Sequence, residues 1–420
     1  AIHLATEALG RPNQKLADSM ARKVEVALVS TYGTGTIPSV EDIQDVVERV
    51  LIENEHARTA KAYILYRHER ARMRDDRRAV RVENIPYKSM WQMLDWAVTH
   101  GVETVDKLNS VLRTDRLPWL VAETDAYYEH LLDAAAATIL ERRGELRFII
   151  VAGPSSSGKT TTMMKIAERL EKDGVHVIPM ALDNYFFDLD MHPQDEFGDY
   201  DFETPEAMDL PLLNEHLEAL DAGRGIDVPH YDFKTGKRTE KTQRFEPGPD
   251  TLVLLDTLHG LYPGLTERVP AEHKFKVYIE TIGQMKDAGG RYIRWTDVRM
   301  LRRMIRDSQH RGYSPERTIL HWHYVRRSEL KHIIPFQGAA DFIVNSSLAY
   351  ELPFLKRHLH HHLPEFLKKW EGNDARIDGV IRARRVLALL DSIEDVDDDS
   401  VVPPTSLLRE FIGGGAYDVH

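Results

Sequence analysis

Phe148-Ile149-Ile150-Val151-Ala152-Gly153-Pro154-Ser155-Ser156-Ser157-Gly158-Lys159-Thr160 joins an apolar run to a glycine- and serine-rich loop. Its first five residues form a short apolar run bounded by Gly153-Pro154, which suits a strand buried on both faces. A helix-like stretch, Thr161 to Lys172, follows at once. The residues from Gly153 to Thr160 fit G-x-x-x-x-G-K-[ST] and lie between that strand and that helix, the context that gives the pattern its meaning. Glycines let the backbone turn so that its N–H groups point at phosphate oxygens, and the helix adds its positive N-terminal end. ATP is therefore expected on Gly153, Ser155, Ser156, Ser157, Gly158, Lys159, Thr160 and Thr161, with Lys159 bridging the β- and γ-phosphates and the Thr160 hydroxyl on Mg²⁺.

Outward from this loop, buried-strand candidates recur at Val175 to Leu182, Thr251 to Leu255, Phe275 to Ile279 and Asp341 to Val344, separated by helical segments. That alternation predicts an α/β fold, a P-loop NTPase-type parallel sheet flanked by helices, over about 144–350. Residues 1–80 read as a separate helical domain: Ile43, Val46, Val47, Val50 and Leu51 keep helix spacing after Ser39. Residues 81–143 read as a helical connecting region, with helices over Met90 to Val98 and Ala122 to Leu140, and 351–420 as a helical tail packed on the core.

The composition narrows the partners. The chain has 420 residues, a net charge of -12 and no cysteine, so disulfide and thiolate-metal chemistry have no support. No apolar run reaches the roughly 18–20 residues of a membrane helix, and no secretory segment is evident, so a cytoplasmic location is expected. An acidic chain repels nucleic acid and anionic membranes in bulk, and any phosphate ligand needs a local basic patch. The expected partner is a small-molecule substrate, with room for a homo-oligomer.

A phosphate loop alone fits kinases, GTPases, ATPases and switches equally, so the acceptor side needs its own argument. Asp183 closes the strand candidate Val175 to Leu182, where strand ends of a parallel sheet face the ligand crevice, and could accept a hydroxyl proton or hold the metal. Asp256 closes Thr251 to Leu255, where a second metal-ordering carboxylate belongs. Arg299, Arg302, Arg303 and Arg306 fall at i, i+3, i+4 and i+7 on one helix face. Such a stripe in an acidic protein suggests a mobile lid that a polyphosphate completes.

Together these residues resemble the uridine kinase and phosphoribulokinase family, over about 146–350. The likeness rests on Gly-Pro-Ser-Ser-Ser-Gly-Lys-Thr, Leu182-Asp183-Asn184-Tyr185, Tyr200-Asp201-Phe202-Glu203-Thr204-Pro205-Glu206-Ala207-Met208-Asp209, Pro229-His230-Tyr231-Asp232-Phe233 and Asp297-Val298-Arg299 leading into Arg302-Arg303, in that order. The stretch from Val325 to Leu352 looks like the uridine kinase-like branch that carries an extra N-terminal domain. The resemblance implies ATP-dependent phosphorylation of a small-molecule hydroxyl, with the 5′-hydroxyl of a nucleoside as acceptor. It implies Asp183 as catalytic base, Lys159 and Arg302 as catalytic partners, and Thr160, Asp183 and Asp256 around Mg²⁺. Arg303 goes with ATP, and Glu203, Tyr231, Arg299 and Phe186 with the acceptor. Phe186 stands where uridine kinases tend to have a tyrosine, Gly236 where a base-contacting histidine is usual, and Asp256 where a glutamate is. The first two changes remove polar contacts to a pyrimidine. Lys237 and Arg238 leave a phosphorylated acceptor open, and a nucleotide-sensing switch without a small acceptor is the other alternative.

Ile37 to Glu48, followed by Ala60 to Arg67, resembles the ATP-cone, a regulatory nucleotide-binding domain. The basic Lys-Arg-Asp-Gly strand with which ATP-cones usually begin is absent from this sequence and is expected upstream of Ala1. The histidines at 358 and 360–362 read as a basic helix end, His321-Trp322-His323 as a strand-like alternation, and Tyr127-Tyr128 as packing.

Overall fold

The computed structural model describes residues 2–7, 13–32, 40–54, 56, 59–60, 63, 85–192, 203–232, 235–248, 250–373 and 376–417. The chain divides into two compact units, 1–80 and 81–420. In the first, helices α1 (Ile2–Glu7), α2 (Gln14–Tyr32) and α3 (Val40–Glu53) enclose a core of Met20, Val24, Val46, Val50 and Leu51. Val46, Val47, Val50 and Leu51 point inward as their spacing requires, whereas Ile43 is exposed. Ser39 and most of the ATP-cone-like residues after Ala60 lie outside the described residues.

The second unit opens with α4 (Tyr87–His100), α5 (Val105–Leu112) and α6 (Leu117–Glu141). Then come β1 (Phe148–Ala152), α7 (Lys159–Lys172) and β2 (His176–Ala181). Helix α8 (Leu210–Asp221) leads into an antiparallel hairpin, β3 (Ile226–Asp232) and β4 (Lys237–Phe245). The chain returns through β5 (Thr251–Thr257), β6 (Lys274–Glu280), α9 (Trp295–His310), α10 (Pro315–Ser328) and β7 (Phe342–Asn345). It closes with α11 (Glu351–Leu359), α12 (His362–Trp370), α13 (Ile377–Asp391) and the single turn α14 (Arg409–Ile412).

Among the described residues the main sheet has five strands in the order β2-β5-β1-β6-β7, all parallel. These are the five strands expected from their apolar runs. β1 is buried at every residue because it lies at the centre with helices on both faces. The connection leaving β1 runs to one side and that leaving β5 crosses to the other, so the crevice opens at the carboxyl end of β1, where the loop from Gly153 sits. The β3–β4 hairpin escaped the periodicity argument because β4, Lys-Arg-Thr-Glu-Lys-Thr-Gln-Arg-Phe, is polar along its length and mostly exposed. His321-Trp322-His323 lies in α10, so the strand-like reading is corrected: Trp322 is buried and its flanking histidines fall on different parts of a helix.

One buried cluster joins Leu120, Tyr128 and Leu132 of α6, Ile149 and Val151 of β1, Ile166 of α7 and Leu407 and Phe411 near the C-terminus. Tyr128 is core, its hydroxyl hydrogen-bonded to Thr162 Oγ1 at 2.6 Å. His358 and His360 pair with Asp399 and Asp391, and among the described residues no group of three or more His, Asp or Glu side chains forms a metal site. No described helix is long and apolar enough to cross a membrane.

Candidate active site

The loop after β1 is built by close approaches that only small residues allow. A Cβ on Gly153 would stand 2.4 Å from the Ile279 carbonyl oxygen, and Gly158 takes a φ of 88°. Ser156, with a φ of 59°, is the one described non-glycine residue in the left-handed region. Ser155, Ser156 and Ser157 are all buried, and the hydroxyls of Ser156 and Ser157 find no hydrogen-bond partner among the described residues. Buried polar atoms left open cost stability unless something completes them, and the N-terminus of α7 faces the same space. The Lys159 ammonium folds back over the loop, 3.4 Å from the Pro154 carbonyl oxygen. Burial lowers its proton affinity, with Asp256, Glu410 and Asp183 opposing. This set of donors fits a polyphosphate.

Two carboxylates flank the loop. Asp256 sits on β5 opposite Val151 of β1 and Ala181 of β2, and Asp183 follows two residues after Ala181 in a short 3₁₀ turn, Leu182–Tyr185. Burial pushes Asp256 up to about 6 despite Lys159, with Asp183 and Glu410 adding to the rise. Burial likewise raises Asp183, against the pull of Lys159 and Arg311. With the Thr160 hydroxyl they are the residues that could hold Mg²⁺, which asks for one or two carboxylates and completes its shell with phosphate and water.

On the acceptor side, Glu203 lies beside Arg303, at 2.8 Å. Burial opposes its ionisation, but Arg303, His259 and Arg306 hold the carboxyl below its usual range. Phe186 packs against Tyr231 and His192, with ring centroids 5.7 and 5.6 Å apart, an aromatic face one turn from Asp183. The Tyr200–Phe202 part of the expected motif, and Phe233, lie outside the described residues.

The arginine stripe differs most from its expectation. Helix α9 is not an exposed lid: Arg299 and Arg302 are fully buried. Arg299 pairs with Glu280 at 2.9 Å and Glu329 at 2.5 Å and donates to the Ser155 carbonyl oxygen. Arg302 pairs with Glu351 at 2.7 Å and donates to the Ser346 carbonyl oxygen. Their charges are answered by carboxylates from β6, the end of α10 and α11, so Arg302, expected as a catalytic partner, is engaged in a buried ion pair that braces the helix against the core. Arg299, expected on the acceptor, is held in the same way and supports the loop carbonyl. Arg303 does reach the loop, donating to Ser155 Oγ at 3.1 Å, and Arg306 shares Asp307 with it. Arg238 is also engaged, donating to Asp209 and to the Tyr185 carbonyl oxygen.

Several residues near the site escaped the sequence reading. His259, buried two residues after β5, stands edge-on to His332 at 5.8 Å and is held down to about 4 by burial and by His332. Arg311 and Asp307 follow the stripe and act on Asp183 and Arg303. Glu410 reaches the loop from the far end of the chain. Arg311 caps α9 and falls off the arginine spacing, and nothing local points to Glu410.

The model of the Phosphoribulokinase / Uridine kinase family matches residues 148–350, and that of the ATP cone domain matches 1–72. A uridine kinase of Deinococcus deserti is 35% identical over 199 residues, 47% of this chain and 86% of that protein. A uridine kinase of Chloroflexus aurantiacus is 35% identical over 195 residues, 46% of this chain and 83% of that protein. Among solved structures, a D-glycerate 3-kinase from Cryptococcus neoformans is 16% identical with a TM-score of 0.27, covering 63% of this chain and 90% of that one.

Proposed function

The chain belongs to the phosphoribulokinase and uridine kinase family and is a P-loop phosphotransferase acting on an alcohol, and from that premise we propose that it transfers the γ-phosphate of ATP to the 5′-hydroxyl of a nucleoside. The observation that carries the reading is the meeting of Lys159, Asp183 and Asp256 at the carboxyl ends of adjacent strands, with the Phe186–Tyr231 aromatic face beside them. The backbone N–H groups and Lys159 hold the polyphosphate in line. Asp183 receives the proton of the acceptor hydroxyl, and its raised proton affinity suits it to that role. Glu203 holds the ribose hydroxyls, and Phe186 and Tyr231 pack on the base. Arg303 steadies the loop through Ser155. Thr160, Asp183 and Asp256 are the residues that would hold Mg²⁺, which when bound would supply charge neutralisation at the phosphates.

The engagement of Arg238 with Asp209 speaks against a sugar phosphate, and the absence of a tyrosine hydroxyl at Phe186 speaks for tolerance of the base. The full chain incubated with MgATP and a panel of nucleosides, pentoses, polyols and sugar phosphates, with products identified by mass, tests the reading. Nucleoside monophosphates from more than one base are expected. A phosphorylated sugar or polyol with no nucleoside product would replace the nucleoside assignment, and ATP turnover indifferent to every acceptor would favour a nucleotide-sensing switch.

A further inference from the structure

The C-terminal turn reaches the phosphate loop. Thr161 N–H, in the first turn of α7, donates to Glu410 Oε2 at 3.0 Å, and both residues are buried. Leu407 presses on the loop itself: a Cβ on Gly158 would stand 2.6 Å from Leu407 Cδ1. The segment is held firmly. Tyr350 OH donates to Asp125 Oδ1 at 2.7 Å, and Ser406 Oγ hydrogen-bonds to both, while the Arg302 guanidinium lies 4.9 Å over the Phe411 ring. Leu407, Leu408 and Phe411 have no exposed surface. Glu410 is itself buried, and its backbone is part of the core.

An N–H group in the first turn of a P-loop helix is one of those the fold offers to nucleotide phosphate. Here a carboxylate already accepts it, close enough to Lys159 and Asp256 to act on both charges. Two anions do not share one donor, and in a buried site their repulsion is poorly screened. Residue 410 also lies beyond the 148–350 family match, so this contact is a feature that the C-terminal segment adds.

We propose that Glu410 is an internal competitor for nucleotide phosphate and so sets the affinity of the site for ATP. Binding requires the carboxylate to release Thr161 N–H and turn away, while Leu407 stays as a wall of the loop. The proposal rests on the reading of this loop as an ATP site. A hydrogen bond to a charged group of the usual strength corresponds to about tenfold in affinity or more.

The test is calorimetric titration of MgATP into the full chain and into Glu410→Gln and Glu410→Ala, with thermal unfolding of each free protein. The variants are expected to bind MgATP about tenfold tighter and to melt lower when free, because the Thr161 amide loses its partner in Glu410→Ala and keeps only a neutral, weaker acceptor in Glu410→Gln. A residue that only supported the fold would lower the melting temperature and leave ATP binding equal or weaker, which overturns the proposal. Tight binding by the variants with none by the wild type supports it in its strongest form. No binding by any of the three contradicts the ATP reading itself, and the proposal falls with it. Should both variants fail to fold, Glu410→Asp, shorter by one methylene, decides: tighter MgATP binding than wild type is expected, and equal or weaker binding overturns the proposal.

Discussion

Lys159 and Glu203 separate the two halves of the site and can be tested singly. Lys159→Met removes the ammonium between the loop and Asp256, and phosphoryl transfer is expected to fall by about 10²–10⁴-fold, measured as initial rate at saturating acceptor. Glu203→Gln keeps the shape but weakens the contact to ribose hydroxyls and to Arg303, so the acceptor KM is expected to rise about tenfold with the ATP KM little changed. A rise confined to the ATP KM would place Glu203 on the nucleotide side. At this scale the loop was fully legible, since G-x-x-x-x-G-K-[ST] carries its chemistry in its spelling. Asp183 and Asp256 were legible because each ends an apolar run, and a parallel sheet brings such ends together. Glu410 was not, because its contact spans 249 residues and no local pattern encodes it.

At the scale of the element, α9 shows how one pattern supports two structures. Four arginines on one stripe mean a basic face, but whether that face meets solvent, phosphate or buried carboxylates depends on which elements pack on it. Glu280, Glu329 and Glu351 come from three different elements and convert Arg299 and Arg302 into buried ion pairs. Removing one member of such a pair leaves an uncompensated buried charge. Glu351→Ala is therefore expected to destabilise the protein by about 3–5 kcal/mol in urea unfolding, whereas a mobile lid would lose less than about 1 kcal/mol. The hairpin β3–β4 makes the converse point. Its strands present polar residues to solvent, so hydrophobic alternation, the signal that found the five buried strands, is missing from β4.

At the scale of the whole molecule, every residue of the proposed site lies within the unit 81–420, which has its own buried core. A chain limited to 81–420 is expected to fold and to retain phosphoryl transfer, checked by its melting transition and its rate; an unfolded product would show that the first unit is needed for stability. The same unit carries a pH-sensitive tie between α6, α11 and the C-terminal segment. Burial raises Asp125 from its ordinary value of 3.8 to about 6, against its hydrogen bonds with Tyr350 and Ser406 and the pull of Lys165, with Glu129 adding to the rise. The folded state thus holds this proton more tightly than the unfolded one. The contribution to stability is fully present below about pH 4 and is lost as pH rises through about 6, by at most about 3 kcal/mol. Asp125→Asn is expected to raise the melting temperature at pH 8 and to leave it nearly unchanged at pH 4; equal shifts at both would refute this. In-line transfer from ATP to a nucleoside hydroxyl with Asp183 as base has a direct readout in the fate of the γ-phosphate. Wild type and Asp183→Asn are each incubated with γ-labelled ATP, Mg²⁺ and a nucleoside, and ADP, free phosphate and labelled nucleoside monophosphate are counted. The wild type should yield ADP and labelled monophosphate one to one, and Asp183→Asn should bind ATP but yield neither at a rate within about 10²-fold of wild type. Label appearing only as free phosphate, or transfer undiminished in Asp183→Asn, would contradict the account.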